Sequence, residues 1–299
     1  MDTQNLQTFL LVAEQGSFSL AAERLHLTQP AVSKRIALLE QQLQCSLFDR
    51  IGRHVSLTEA GSALLPHARR IVQQLDQATQ AVRDLSGGVA GELRLATSHH
   101  IGLHRLPPVL SRFSRHYPEV QIDIDFLDSE HAYELIQQGK VELAVVTLAP
   151  GGDGSVIARP VWHDPLCFMA APDHPLTSAP QLTLAALADF PAVLPGLGTY
   201  TGQIVKGLFR QHHLALQVSM ATNYLETLRM MASVGLGWTV LPASMLDDSL
   251  RSLEVEGVAM ARSLGTIYHR GRSLSRAAQA FLATLEDGAE MPPTPLADR

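Results

Sequence analysis

Cysteine is scarce in this chain. Cys45 and Cys167 are the two among 299 residues, and neither belongs to a Cys-x-x-Cys. That excludes a disulfide scaffold and a local dithiol pair, and both read as reduced, buried cytosolic thiols. No apolar run approaches the roughly 20 residues needed to span a bilayer. No positively charged start leads into an apolar stretch, so nothing suggests export, and a cytoplasmic location with no membrane partner is expected. No strong field of one sign is present either: 23 Lys+Arg stand against 29 Asp+Glu, a net charge of −6. Residues 1–91 hold eight of each, leaving fifteen against twenty-one for the remainder. The sequence also lacks a P-loop, a Gly-x-Gly-x-x-Gly and a Gly-x-Ser-x-Gly. Nucleotide-dependent and serine-hydrolase chemistry therefore have no anchor. What remains, at 46% hydrophobic and 17% charged, is an ordinary globular composition long enough for two or three domains.

The richest segment is residues 17–50. Val32, Ile36, Leu39 and Leu43 fall at spacings of four, three and four, the apolar stripe of a core-facing helix. Gln29, Pro30, Ser33 and Lys34 fall on the other side. These small, polar or basic side chains suit a DNA major groove: glutamine can pair bidentately with adenine, and serine or lysine reaches base edges or phosphates. Thr28 is a fitting N-cap, with Pro30 in the first turn where a missing N–H costs little. Leu6, Phe9, Leu10 and Ala13 mark a preceding helix stopped by Gly16, and Ser17 or Ser19 can cap the helix that packs Ala21, Ala22 and Leu25. With no basic field, positive charge at such a surface must be local, from Lys34, Arg35, Arg50 and Arg53.

The run Ala21-Ala22-Glu23-Arg24-Leu25-His26-Leu27-Thr28-Gln29-Pro30-Ala31-Val32-Ser33 closely resembles the helix-turn-helix of LysR-type transcriptional regulators. So do Leu47-Phe48-Asp49-Arg50, Arg53 and Leu57-Thr58-Glu59-Ala60-Gly61, and the likeness continues through nearly the whole chain. The resemblance implies a winged helix-turn-helix with Gln29, Pro30, Ser33 and Lys34 toward the major groove and Arg53 on the wing, where family members reach phosphate or minor groove; Arg50 is a further DNA-binding candidate.

Gly61, Leu64, Ala68, Ile71, Leu75, Ala78, Val82 and Leu85 alternate spacings of three and four without a break. This is a coiled-coil seam, which predicts a homodimer through Leu64, Ala68, Ile71, Leu75, Ala78, Val82 and Leu85, with an irregularity near Pro66. Two recognition helices at fixed separation read a partial inverted repeat.

Ser86–Gly91, with three glycines in six residues, reads as a hinge. Strand and helix patterns alternate beyond it. Leu93 and Leu95 begin a strand; Leu106, Val109, Leu110 and Phe113 form a helical stripe. Val120, Ile122, Ile124 and Phe126 alternate at period two, Ser129 can cap a helix ending at Gly139, and residues 143–147 read as a buried parallel strand. The pattern repeats with strands near 165–171, 192–195, 216–220 and 237–241 and helices near 184–188, 201–212 and 224–234.

The expected fold is thus an all-α winged helix-turn-helix (1–58), a linker and dimerisation helix (59–86), a hinge (87–91), and an α/β two-lobed effector-binding domain resembling periplasmic binding proteins (92–287), with a disordered tail (288–299). Lobe I is 92–161 with 266–287, and lobe II is 162–265. Ligands of such domains sit where strand ends face helix N-termini, here Thr97–Gly102, Gly196–Gly202, Thr147 and Thr222-Asn223. The candidate effector residues are Ser98, His99, His100, Ile101, Thr147, Thr199, Thr201 and Asn223. Residues 96–108 with Tyr200-Thr201-Gly202 resemble the family branch that senses sulfate and governs cysteine biosynthesis, with Ile101 in place of a glutamine and His100 in place of a threonine. That implies a small oxyanion or carboxylate effector, with a protonated His100 favouring it. Family membership also implies dimers or tetramers and contact with RNA polymerase. No cofactor, catalytic residue or metal site is expected: His99, His100, His104, His163, His212 and His213 match no familiar metal-ligand spacing. The alternatives are a helix-turn-helix fused to an enzyme, as in biotin ligases, and a metal sensor.

Overall fold

The computed structural model describes residues 1–51, 54–84, 88–151, 154–179 and 181–288. The chain divides into two compact units, 1–87 and 88–299. Arg53, Leu85, Gly87 of the hinge, and the tail from 289 onward lie outside the described residues.

The first unit builds α1 (Thr3–Gln15), α2 (Phe18–Arg24), α3 (Gln29–Leu43), β1 (Phe48–Ile51), β2 (His54–Leu57) and α4 (Glu59–Asp84). Gly16 ends α1 in the left-handed conformation, φ 57°, its N–H bonded to the Val12 carbonyl. Ser17 caps α2 by accepting the Leu20 N–H. Thr28 takes the N-cap position of α3 but makes no side-chain cap bond. Val32, Ile36 and Leu39 are buried as their spacing predicts. Phe48 packs against Phe9 and Phe18, ring centroids 5.3 and 5.8 Å away, which anchors the base of the wing. The wing itself is the antiparallel β1–β2 pair, so this unit is not wholly helical.

Two expectations need correction here, and a third gains a detail. Cys45 is exposed and only Cys167 is half-buried, because Cys45 follows the left-handed cap at Gln44 and leaves the core. Arg35 keeps its charge, but its guanidinium is steered toward α1, where it bonds Gln4 Oε1 at 2.9 Å and Thr8 Oγ1 at 3.4 Å. Ala68 is fully buried in the core of its own unit, with Leu64 packed on the same cluster. Ala68 is therefore closed to a seam and Leu64 is only partly open to one, whereas Ile71, Leu75 and Ala78 are exposed. The helix α4 is continuous through Pro66.

The second unit starts with β3 (Gly91–Thr97), α5 (His99–His104), α6 (Leu106–His116), β4 (Val120–Phe126), α7 (Ser129–Gln137) and β5 (Leu143–Thr147). β3 pairs in parallel with both β4 and β5. The long strand β6 (Val156–Ala170) leads into α8 (Leu184–Ala188), β7 (Ala192–Leu194), α9 (Tyr200–Gln211), β8 (Val218–Ala221), α10 (Leu225–Ser233) and β9 (Thr239–Pro242). β10 (Arg251–Leu253), β11 (Met260–His269) and α11 (Arg276–Glu286) complete it. β6 and β11 pair antiparallel along almost their full length, with β5 on one flank and β10 on the other.

These two strands run through both lobes. Val161 and Leu264 belong to a core with Leu93, Leu95 and Phe113, while Leu166 belongs to one with Trp238, Phe209 and Leu187. Alternating strand and helix patterns foresaw the parallel strands and their helices; the antiparallel β11 strand was expected only as a returning segment. Ser129 does not cap α7. Asp128 holds that position, and the Ser129 hydroxyl accepts the Thr147 N–H at 3.1 Å.

The start of α4 yields a stability test. The Thr58 hydroxyl accepts the Gly61 N–H at 3.0 Å and donates to the Ser46 carbonyl at 2.7 Å. A Cβ on Gly61 would sit 2.2 Å from the Leu47 carbonyl oxygen and 2.8 Å from Leu57 Cδ2. Gly61→Ala is expected to destabilise the N-terminal unit by about 1–3 kcal/mol, the usual range for overpacking. In thermal melts of the full chain the transition of this unit should move down while that of the C-terminal unit stays in place.

Candidate functional site

In the first unit, Gln29, Pro30 and Lys34 are exposed on α3 and Ser33 is half-buried beside them. Gln29 Nε2 donates to Ser33 Oγ at 3.1 Å, so the two polar side chains share one face. Val32 and Ile36 hold the opposite face in the core, which fixes which side of α3 is presented. Arg50 lies in β1 opposite Val55, one pair before the turn of the wing.

In the second unit a cavity of about 360 Å³ opens between the lobes. Seven of the eight predicted effector residues line it: Ser98, His99, His100, Thr147, Thr199, Thr201 and Asn223. They arrive from four strand ends. β3 ends at Thr97, whose hydroxyl donates to the Val145 carbonyl at 2.8 Å, and Ser98 then takes the N-cap position of α5. β5 ends at Thr147. Beyond β7, Thr199 caps α9 by accepting the Gly202 N–H at 3.1 Å. Beyond β8, Asn223 Oδ1 accepts the Gly196 N–H at 3.1 Å while its Nδ2 donates to Asp128 across the cleft at 2.8 Å. His99 lies between Phe126 and Tyr224, with ring centroids at 5.3 and 4.9 Å.

Ile101 is the exception. It is fully buried in the lobe I core with Leu93, Leu106 and Phe113, because α5 turns that position away from the cleft. A second correction concerns His100. Burial, then the Arg262 guanidinium, push its pKa down to about 4, so it is neutral at physiological pH and supplies no charge to an anion.

The cation that sequence reasoning missed is Arg262, on β11 and lining the cavity. It is buried; its Nη1 donates to Thr201 Oγ1 at 2.9 Å and its Nε to Asp164 Oδ2 at 2.8 Å. Asp164, itself buried, also accepts from Arg105 Nη2 at 3.2 Å. No local pattern marks Arg262, which is 61 residues from Thr201 and 98 from Asp164. Acidic groups enter as well: Glu130 Oε1 accepts the Tyr200 N–H at the start of α9. Nearby, Tyr200 has its phenol pushed up to about 12, by burial and then by Tyr133 and Glu130, and stays protonated. The structure also brings His100 and His104 together with Glu226, three groups whose ligating atoms lie within 4.8 Å of one another.

Chemically, the cavity offers a buried guanidinium, hydroxyls of serine and threonine, and helix starts, which together suit a small anion carrying further oxygen atoms.

Comparison with known proteins agrees with both units. Residues 3–62 match the family described as "Bacterial regulatory helix-turn-helix protein, lysR family" and residues 86–290 match "LysR substrate binding domain". The "RuBisCO operon transcriptional regulator" of Allochromatium vinosum is 30% identical over 93% of this chain and 93% of its own length. An "Uncharacterized HTH-type transcriptional regulator in ibpB-leuC intergenic region" of Azotobacter vinelandii is 68% identical over 36% of this chain and 75% of its own. The Synechocystis CcmR regulatory domain, solved in complex with 2-PG, superposes with a TM-score of 0.61 at 24% identity, covering 67% of this chain and 98% of that one. These relatives are regulators, and neither a biotin-ligase-like enzyme nor a metal sensor finds support among them.

The lowered pKa of His100 has a sign that can be checked. Its folded value of about 4 lies below the ordinary 6.5, so its contribution to stability is complete above pH 6.5. That contribution is lost as pH falls toward 4, by up to about 3 kcal/mol at 1.36 kcal/mol per pKa unit. With a chelator present, the melting temperature of the wild type should drop more steeply over this range than that of His100→Gln.

Proposed function

The chain belongs to the LysR family of bacterial transcriptional regulators, and from that premise we propose how it works. It is a DNA-binding regulator controlled by a small molecule. In our reading α3 enters the major groove with Gln29, Pro30, Ser33 and Lys34, and the wing around Arg50 and Arg53 reaches the backbone. Dimers formed along α4, themselves able to pair into tetramers, read a partial inverted repeat in the cytoplasm, within reach of RNA polymerase. The seam is carried by Ile71, Leu75 and Ala78, exposed on the described part of α4, with Val82 and Leu85 extending the same spacing.

The effector is a small anion, a carboxylate or phosphate ester with additional hydroxyl groups, held between the lobes. One observation carries this reading: a buried arginine, Arg262, is bonded to Thr201 on the wall of a cavity whose other predicted contacts converge there. A cavity of about 360 Å³ admits a metabolite of modest size. The 2-PG complex of the CcmR domain lends support at the level of fold. Effector binding shifts the balance between two lobe arrangements, and only a difference in affinity between them can drive the response.

Two substitutions test separate links. Ser33→Arg should abolish specific operator binding in gel-shift titrations at fixed salt while leaving the oligomer and ligand affinity intact; equal operator affinity would remove α3 from the interface. Thr201→Val takes away the hydroxyl that Arg262 contacts. It is expected to weaken effector binding about tenfold, the scale of one charge-assisted hydrogen bond. Calorimetry across a panel of carboxylates and phosphate esters measures it, and operator affinity without ligand should stay unchanged. An unaltered ligand response takes the start of α9 out of the site.

A further inference from the structure

We propose that His100, His104 and Glu226 form a site for a divalent transition-metal ion of the zinc or nickel class, which ties lobe I to lobe II. His100 and His104 are four residues apart on α5, so both imidazoles project from one helix face, ring centroids 4.8 Å apart. Glu226 comes from the first turn of α10, 122 residues away from His104 in sequence. Glu226 Oε1 lies 2.8 Å from His104 Nε2 and 3.9 Å from His100 Nδ1. Metal–ligand bonds of roughly 2.0–2.2 Å place tetrahedral donors about 3.3–3.6 Å from one another. Those two separations lie on either side of that range, and all three ligating atoms lie within 4.8 Å of one another.

His100 supplies the second, independent observation. It is 4% exposed, and neither ring nitrogen has a hydrogen-bond partner. Buried polar atoms in native folds are nearly always satisfied, and an ion would take one of these two nitrogens, Nδ1 on the side of Glu226. The His104–Glu226 hydrogen bond accounts for those two groups but leaves His100 without one. Two imidazoles and a carboxylate are the donor set of zinc and its neighbours, whereas magnesium and calcium prefer oxygen alone. Arg262 and Asp164 also face His100, and their mutual bond at 2.8 Å limits the repulsion an incoming cation would meet.

The location gives the site its consequence. α5 packs into the lobe I core through Ile101, and α10 packs into a lobe II cluster through Leu225 and Leu228. An ion bound by both helices therefore resists lobe separation. The site shares His100 with the lining of the effector cavity, but the roles differ: the ion is a tie, and the small anion remains the regulatory signal.

The test uses the full chain, stripped with a chelator and free of DNA and effector. Co²⁺ is titrated by visible absorption, followed by displacement with Zn²⁺, and melting temperature is recorded with and without Zn²⁺. One ion per chain and a Zn²⁺-dependent rise in melting temperature are expected. His104→Gln, at an exposed position, and Glu226→Gln, which keeps an acceptor for His104 but removes the charge, should each weaken binding at least about tenfold and cancel the rise. A double His212→Gln, His213→Gln variant should bind like the wild type. No saturable binding, an affinity unaltered in either single variant, or a loss confined to the double variant overturns the site.

Discussion

Asp164 organises the regulatory unit. A carboxylate 1% exposed needs countercharge and hydrogen bonds, and it takes them from Arg262 at 2.8 Å and Arg105 at 3.2 Å. Arg105 lies between α5 and α6 of lobe I, Asp164 and Arg262 on the two strands that run between the lobes, and Thr201 on α9 of lobe II. The chain of contacts therefore spans the cleft. Removing either arginine alone would leave the buried carboxylate partly unpaired, so this junction holds Arg262 in a single pose. Its second role follows: with Nε on Asp164, Nη1 is left to reach Thr201 and the cavity wall.

The same pairing moderates the electrostatics of the cavity. Arg262 is a cation already shared with Asp164, and His100 beside it is neutral at physiological pH. Glu130 meets the Tyr200 N–H at the start of α9, and Asp128 meets Asn223. An anion entering this space meets a balanced set of charges rather than a strong positive field. Selectivity then rests on geometry, with hydroxyls and helix starts placed around one guanidinium, more than on net attraction. Such a balance also suits release, since an effector that binds too tightly cannot report falling concentration.

Legibility from sequence divides along physical lines. The helix-turn-helix was readable because its determinants are local: the four-three-four spacing of Val32, Ile36, Leu39 and Leu43, the stop at Gly16 and the cap at Ser17. The cleft loops were readable because strand ends and helix caps leave threonine, serine, asparagine and glycine behind them, and seven of the eight candidate effector residues line one cavity. Ile101 failed because a one-residue step on a short helix separates cleft from core. Arg262, Asp164 and Glu226 were invisible for a different reason. Each acts on a partner tens of residues away, brought near only by strands and helices whose pairing no local period encodes. His100 could be named but not its protonation, which depends on burial and on that same distant arginine.

The linker helix shows how one apolar period can serve two ends. Over its first turns the stripe turns inward: Gly61 lies against the Leu47 carbonyl, Leu64 and Ala68 join the core around Phe9 and Ile36, and Val72 follows. Further along, Ile71 is 37% exposed and Leu75 42%, with Ala78 exposed beyond them. A 26-residue helix anchored at one end is nucleated by its own domain, which removes the costliest step in forming it. The exposed remainder still lacks a covering surface, and an apolar stripe at alternating three and four spacing is satisfied best by a second copy of itself. In the dimer proposed above, folding of the DNA-binding unit and pairing of two chains would be linked through one rod, and the angle at which two such rods meet would set the distance between recognition helices.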